Sequence, residues 1–556
     1  MNFLHALVPE VALVMAACVL FLLGATRSLL ARRASPWIAM AALAFVGGRM
    51  MAPSGDDLPS SIAATLMSPA FTVFIKTLTV LVAMLLTLLH WPTDGSGSRT
   101  SSLELGQESP EYFGLMLLSV AGVLLVAGAN DLILLFLGIE LASLPTYVMV
   151  SISRPIAVAQ EAAVKYFFLG AFSAALTLLG LTFIFGATGA TNLTGISNAV
   201  ASAELHAVFS GWLLIGGVLV ILGLAFKLAA FPLHFYALDV YTGAATPMTA
   251  FLSFIPKITG FTALIRVLNA LGAPVAHEIP QVYVSLLWVM AVATMTIGNT
   301  LGLMQHNIKR MMACSSIAHS GYMLVGVTAA FTLTDGMYSE NGISGVLFYL
   351  VAYGVMNVGV FAVLMMLPAR PDPFTNDGKI APATSAETLA DIAGAGRRDP
   401  GLGMIMAICC LSLIGIPLTV GFMGKVLLAR PALEVSYIGL VIIMVLNAAV
   451  SAGYYLRIIS AMFLKEPPPD TGLEASSETH AVAVGTVCAP SHMRTAPLMF
   501  AGVLSAGACI CLGSLVPAMT AVRSAARESF YIQPSTPGIV KPMPPQRSAP
   551  SAIPRR

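Results

Sequence analysis

The sequence predicts an all-α polytopic membrane protein with about fourteen transmembrane helices. Three observations predict it. The 556 residues are 57% hydrophobic and only 10% charged, whereas a soluble domain is nearer a quarter charged. Apolar stretches of about twenty residues, long enough to cross the hydrocarbon core, recur along almost the whole chain. Finally, five of the nine lysines, Lys76, Lys165, Lys227, Lys257 and Lys425, stand inside such stretches, while the arginines fall in loops or near segment ends.

In chain order the stretches begin near Phe3, Pro36, Pro69, Glu111, Asp131, Gln160, Ser210, Ala244, Pro280, Gln305, Gly342, Gly401, Leu433 and Ala496. The first contains Glu10, has no basic residue before it and is followed by Arg27, Arg32 and Arg33. It therefore reads as a retained helix with its N-terminus outside, not as a cleaved leader. The second, Pro36 to Met51, is the shortest and ends beside Arg49. On this topology the inside loops collect most of the basic residues, among them Arg154, Lys309, Arg310, Arg397, Arg398 and Arg457. The outside loops hold Arg49, Arg266 and Arg430, which is the positive-inside pattern. The exception is the basic tail after Pro517, which an even helix count places outside. Two long inside connections, Pro368 to Pro400 and Glu466 to Ser491, are rich in Pro, Ser, Thr and Ala and read as surface loops. The tail from Gln533 is Pro- and Ser-rich and is expected to be disordered.

Several chemistries are excluded. The seven cysteines include no CxxC pair and no Cys/His cluster with zinc or iron–sulfur spacing. There is no phosphate-binding loop and no GxGxxG after a strand. With a net charge of +2 and no basic tract, nucleic acid is not an expected partner. Lipid is.

The lysines point to transport. A charge at the centre of a bilayer-spanning helix costs roughly 2.5–3.5 kcal/mol on insertion scales. Such residues face a protein interior or a watery cavity. Lysine, unlike arginine, can lose its proton there, so a row of buried lysines can carry protons or exchange them for another cation. Two of the lysines sit beside helix breakers, in Gly223-Leu-Ala-Phe-Lys227-Leu-Ala-Ala-Phe-Pro232-Leu-His234 and in Gly415-Ile-Pro417-Leu-Thr-Val-Gly421-Phe-Met-Gly424-Lys425. A proline can simply kink a packed helix. A lysine within eight residues tips the reading towards a broken helix that lines an ion site. Glu140, halfway along its own stretch, is expected to hold Lys227 charged when the two are paired and to release its proton when they separate, with Lys257 as the next site. His319 is a relay candidate or a hydrogen-bonded core residue, and His234 likewise. Lys76 and Lys165, nearer helix ends, are either functional or snorkelling. Asp239 stands at the inside mouth of the first break or caps a helix.

Four segments carry a family resemblance: the stretch around Glu140; Phe226-Lys227 through Pro232-Leu-His234 to Asp239-Val-Tyr; Lys309-Arg-Met-Met-Ala-Cys-Ser-Ser-Ile-Ala-His319-Ser-Gly-Tyr322; and Gly415-Ile-Pro417 to Gly424-Lys425. Through them the chain resembles the antiporter-like membrane subunits of respiratory complex I, and among these the N type of NADH–quinone oxidoreductase, from about Glu10 to Pro517. The resemblance implies two inverted five-helix repeats with broken helices 7 and 12. Residues 1–110 would hold helices 1–3, 111–275 the first repeat (helices 4–8), 276–465 the second (helices 9–13), 466–520 a loop and the last helix, and 521–556 a disordered tail. It implies proton-transfer roles for Glu140, Lys165, Lys227, Lys257 and Lys425. It also implies a place in the bacterial inner membrane among the other membrane subunits of the complex. This chain would bind no cofactor, the NADH, FMN, iron–sulfur clusters and quinone belonging to partner subunits. The stretch Tyr236-Ala-Leu-Asp239 and Ala245 depart from the family pattern, which bears on the geometry near Asp239. Two rival readings share the same core: a subunit of a cation/proton antiporter and a membrane subunit of a hydrogenase-type complex. A scaffold bundle without transport is a third.

Overall fold

In a bilayer every backbone N–H and C=O must be satisfied inside the protein, which leaves helices as the solution for long apolar segments. The computed structural model follows that rule. It describes residues 7–26, 28–51, 69–91, 109–154, 156–201, 210–272, 280–332, 340–367, 386–466, 496–512 and 516–529. Among these are nineteen helices, and the only β contacts are two isolated bridges. The helices are α1 (Val8–Ala25), α2 (Leu29–Met51), α3 (Pro69–Leu89), α4 (Ser109–Gly128), α5 (Leu132–Ile152), α6 (Ala157–Thr188), α7 (Leu193–Ala201), α8 (Ser210–Leu228), α9 (Tyr236–Gly243), α10 (Thr246–Leu271), α11 (Gln281–Met304), α12 (Ile308–Ala330), α13 (Glu340–Met366), α14 (Ala395–Arg398), α15 (Pro400–Ile414), α16 (Val420–Glu434), α17 (Ile438–Phe463), α18 (Ala496–Cys511) and α19 (Val516–Ser529). Ten of them are long and apolar enough to cross a membrane. The chain is thus an all-α, multi-pass membrane protein.

Side-chain contacts define two ends of the bundle. At the proximal end, where α1 begins, Arg266 near the end of α10 donates to Thr72 Oγ1 of α3 (2.9 Å) and to the Ala127 carbonyl of α4. At the distal end, Ser35 of α2 meets Ser109 of α4 (3.1 Å). Between them α10, α12 and α13 are buried along almost their whole length and form the centre. The outer helices wrap this centre and leave apolar faces outward, such as Phe167, Phe168 and Phe172 on α6. With 32 residues, α6 is about 48 Å long at 1.5 Å per residue, well beyond a hydrocarbon core of about 30 Å. Small residues let helices approach closely where lipid provides no hydrophobic drive. A Cβ at Gly122 of α4 would lie 2.3 Å from the Ala142 backbone nitrogen on α5, and Ser119 donates to the Ala142 carbonyl across the same seam (2.6 Å).

The structure corrects several expectations. The second helix is not a short Pro36 run but begins at Leu29, taking Arg32 and Arg33 into its first turns, where long stems let guanidinium groups reach the interface. Arg266 is not in a loop; it lies inside α10, buried, with its guanidinium over the Phe71 ring (4.9 Å). Lys309 and Arg310 likewise belong to the first turn of α12, and Lys309 is fully buried. The tail expected to be disordered from residue 521 is helical through Ser529, with Val522, Ala525 and Ala526 buried. Small apolar residues at that spacing give α19 one packing face, which the proline content further on masks in a composition-based reading. The start of the first stretch at Phe3, most of both long inside connections and the tail beyond residue 529 lie outside the described residues.

Gly122→Val should force α4 and α5 apart. The expected loss is about 1–3 kcal/mol, typical of overpacking, read as a lower melting temperature of the detergent-solubilised protein, with Ser119→Ala producing a smaller drop.

Candidate functional site

The first break separates α8 from α9. A broken helix leaves carbonyls that lipid cannot satisfy, and hydroxyls from neighbouring helices take them up here. Tyr236 donates to the Phe226 carbonyl (2.8 Å), and Ser320 of α12 donates to that of Leu228 (2.5 Å). The Phe231 N–H finds Thr294 Oγ1 of α11 (2.9 Å). Because hydroxyls do this work, the ammonium of Lys227 is free to turn to α5. There it donates to Ser143 Oγ (2.6 Å) and to the Tyr147 hydroxyl (3.2 Å), and its Nζ lies 3.6 Å from Glu140 Oε1. Glu140, Ser143 and Tyr147 stand at i, i+3 and i+7, one face of a helix. At 3.6 Å the carboxylate is in ionic contact but outside hydrogen-bonding range.

Beyond Lys227 lies a cavity of about 10 Å³ lined in part by Lys227, Tyr166, Tyr236, Tyr241 and Lys257, on the scale of a single water. Lys257, on α10 and only 1% exposed, donates to the Ser316 carbonyl of α12 and lies 4.7 Å from the centroid of the Tyr353 ring. Tyr241 and Ser316 share a hydroxyl hydrogen bond (3.0 Å). The Tyr353 ring is 5.2 Å from that of His319. His319 is held between two phenols: Nδ1 is 2.6 Å from the Tyr349 hydroxyl and Nε2 is 3.1 Å from that of Tyr455. A neutral imidazole with hydroxyls on both nitrogens has one donor and one acceptor, the arrangement a proton relay needs. The Tyr322 ring continues the row, 5.5 Å from His319 and 4.9 Å from Lys425 Nζ.

The second break is solved differently. α15 ends at Gly415, whose φ of 88° lies in the left-handed region that glycine enters without strain. The carbonyls of Leu413 and Ile414 then point at Lys425 of α16, which donates to both (3.2 and 2.7 Å). Lys425 therefore caps the helix whose end it faces, and a cation at a helix C-terminus is further favoured by the helix dipole.

Among the sequence-predicted residues, the buried Lys227, Lys257, His319 and Lys425 thus form one row with the part-buried Glu140 at its start and tyrosines between. Lys165 is not in it. Its side chain is 45% exposed and paired with Glu161 (2.8 Å) and Asp239 (3.0 Å), and Arg310 reaches the other oxygen of Asp239 (3.0 Å). His234 lies in the first break, half-buried beside Phe231 and Phe235. Lys76 does not snorkel: it is buried and bound to Glu10 (2.5 Å) across α1 and α3.

A family model described as NADH:quinone oxidoreductase/Mrp antiporter, transmembrane, matches residues 129–451, which contain every member of this row. The chain belongs to that family. A relative from Trichlorobacter lovleyi named NADH-quinone oxidoreductase subunit N is 37% identical, over 83% of this chain and 88% of its own length. One from Myxococcus xanthus with the same name is 36% identical over 90% and 94%. Among solved structures, a chain of respiratory complex I from Thermus thermophilus with bound aureothin is 26% identical, covers 92% of this chain and 99% of its own, and superposes with a TM-score of 0.65.

Within this family frame, one residue not foreseen in the sequence ties the site together at the distal end. Glu387, from the connection after α13, accepts from Arg154 at the end of α5 (2.5 Å) and from Lys309 of α12 (3.0 Å). Lys309 also donates to the carbonyls of Thr242 (3.2 Å) and Ala244 (2.7 Å) at the end of α9. The helix carrying Glu140, the half-helix after Lys227 and the helix carrying His319 are thereby pinned at one point. Burial alone pushes the Glu387 carboxyl up, but Lys309 and Arg154 outweigh it and hold it below the usual carboxylate value. A depressed carboxylate stabilises fully above its unfolded value and loses that contribution as pH falls through the folded one. Glu387→Gln, which strands two cations, should therefore destabilise the protein by about 3 kcal/mol, the low end for breaking a buried pair. The difference from wild type in melting temperature should shrink as pH falls below the ordinary carboxylate range.

Proposed function

We propose that this chain is a proton-translocating membrane subunit of an NADH–quinone oxidoreductase. The observation that carries the reading is the Glu140–Lys227 pair: in contact at 3.6 Å without a hydrogen bond, while Ser143 and Tyr147 offer the lysine neutral partners on the same helix face. An ion pair so placed is sensitive to small separations, because Coulomb attraction in a low dielectric is steep. Drawing Glu140 away leaves Lys227 among neutral oxygens, lowers its hold on its proton, and sends the proton through the tyrosine-lined cavity to Lys257. His319 and its phenols connect Lys257 to Lys425. Electron transfer from NADH to quinone, at redox centres in partner subunits, supplies the charge shift that moves Glu140, and the proton movement coupled to it makes the complex a translocase.

The family reading also supplies the topology. The broken pair α15–α16 together with α2, α12 and α18 raises the ten apolar spans to fourteen crossings. Helices 4–8 and 9–13 form two inverted repeats, each with one broken helix and one lysine beside the break. The proximal end is the outside and the distal end, where Arg154, Lys309, Arg310 and Glu387 gather, is the inside. The membrane is the bacterial inner membrane.

The test uses inverted vesicles from a strain lacking this gene, complemented with wild type or Lys227→Ala, following NADH-driven quinone reduction and lumen acidification with and without sodium. Lys227→Ala should lower both by about tenfold or more, the scale of a lost proton-transfer group, with assembly intact. Tyr147→Phe should cost less. Survival of NADH-driven acidification after deletion, with loss of sodium-driven proton exchange, would instead make the chain an antiporter subunit.

A further inference from the structure

Asn299 of α11 is fully buried and has no place in the lysine row described above. A buried amide must spend its donors and its acceptor on neighbours, and here those neighbours lie on α11, α12 and α17. Nδ2 donates to the Met295 carbonyl of its own helix (2.9 Å) and to the Tyr322 hydroxyl of α12 (2.9 Å), with Asn447 Oδ1 of α17 further off (3.4 Å). Oδ1 accepts from the Tyr454 hydroxyl of α17 (3.1 Å). A carbonyl can only accept, so Met295 fixes which end of the amide faces Tyr322. The close approach of Tyr454 needs Gly302, where a Cβ would lie 3.0 Å from the tyrosine ring.

The phenol that Asn299 holds belongs to the row. With the amide donating to its oxygen, the hydroxyl hydrogen of Tyr322 must go elsewhere, and Ser451 of α17 takes it. That serine bonds the same phenol and gives its own hydrogen to the Ala448 carbonyl (2.6 Å). Tyr322 is therefore gripped at its hydroxyl from two sides. Its ring is set edge-on to His319, the centroids 5.5 Å apart and the planes at 85°, with Lys425 Nζ 4.9 Å from its own centroid. A cation is attracted by the face of a ring and not by its edge, so the angle at which Tyr322 is held matters to the lysine. An amide carries no exchangeable charge between pH 5 and 9, so Asn299 orients this phenol and passes no proton itself.

We propose that Asn299 is a positioning residue for proton passage between His319 and Lys425, acting by locking the Tyr322 ring between them. The inference rests on the proposed function and gives a role in it to α11, a helix without a charged residue. Amides also serve as plain adhesive between membrane helices. The arrangement here differs, because the amide ends on the ring beside Lys425.

The test follows NADH-driven lumen acidification by the assembled complex in inverted vesicles, in water and in deuterium oxide. Asn299→Leu, close in volume and unable to hydrogen-bond, should slow acidification about tenfold, less than the roughly hundredfold of a one-ångström misplacement, with native gels showing normal assembly. The ratio of rates in the two solvents should rise above that of wild type, because passage by Tyr322 becomes the slow step. Loss of adhesion alone would lower the amount of assembled complex and leave that ratio unchanged. Tyr454→Phe should move both readouts the same way by less. In a Tyr322→Phe background, Asn299→Leu should add less than about twofold, since residues acting through one contact do not add. Tyr454→Phe and Tyr322→Phe each remove one oxygen, so they carry the comparison if Asn299→Leu does not assemble. Lys227→Ala is the control for the proposed function: normal pumping in it would sink that reading and this one together. Impaired pumping in Lys227→Ala beside a wild-type rate in Asn299→Leu would overturn the Asn299 assignment alone, as would an unchanged solvent ratio or fully additive losses in the double variant.

Discussion

An ammonium group inside a bilayer must be surrounded by oxygens, and the architecture around the lysine row is arranged to provide them. Helices satisfy their own carbonyls and so have few oxygens to offer. The oxygens at Lys227, Lys257 and Lys425 therefore come from places where helical bonding is interrupted or shared: hydroxyls and a carboxylate on α5, a carbonyl of α12, and the open end of α15. The breaks, the tyrosines and the buried serines all follow from that requirement.

The two breaks meet it in opposite ways. At the first, Tyr236, Ser320 and Thr294 occupy the loose backbone groups, so the lysine is released to a side-chain partner that can move. At the second, the lysine itself occupies the loose carbonyls, so its partner is backbone that cannot move far. The first lysine thus faces a carboxylate on a neighbouring helix, the second fixed backbone carbonyls. The side chains between them, phenols and one imidazole, both donate and accept.

Much of this was legible in the sequence. Charge in an apolar run is costly wherever it falls, so Glu140, Lys227, Lys257 and Lys425 stand out without knowledge of contacts, and proline and glycine mark both breaks. Ser143 and Tyr147 were readable only once Glu140 fixed which face of α5 looks inward. Glu387 was not readable, because it lies in a stretch whose composition is that of any surface loop, and its two cationic neighbours, Lys309 and Arg154, come from positions 78 and 233 residues away. For Lys165 the sequence left function and snorkelling open: its run is as apolar as the rest, but α6 is long enough that a residue two turns from its start lies outside the row, among Glu161, Asp239 and Arg310. The end of the chain misled by average composition, since the first residues of a proline-rich tail suffice for one more turn-by-turn packed helix.

The turn at Gly415 has a genetic consequence. A Cβ there would lie 3.0 Å from Cδ and 3.4 Å from Nζ of Lys425, in addition to the strain of a left-handed backbone. Any side chain at position 415 would make the end of Lys425 give way by a few tenths of an ångström while straining the backbone. Substitution at position 415 therefore bears on the lysine without touching it in sequence, and its cost combines a shifted cap with a strained turn.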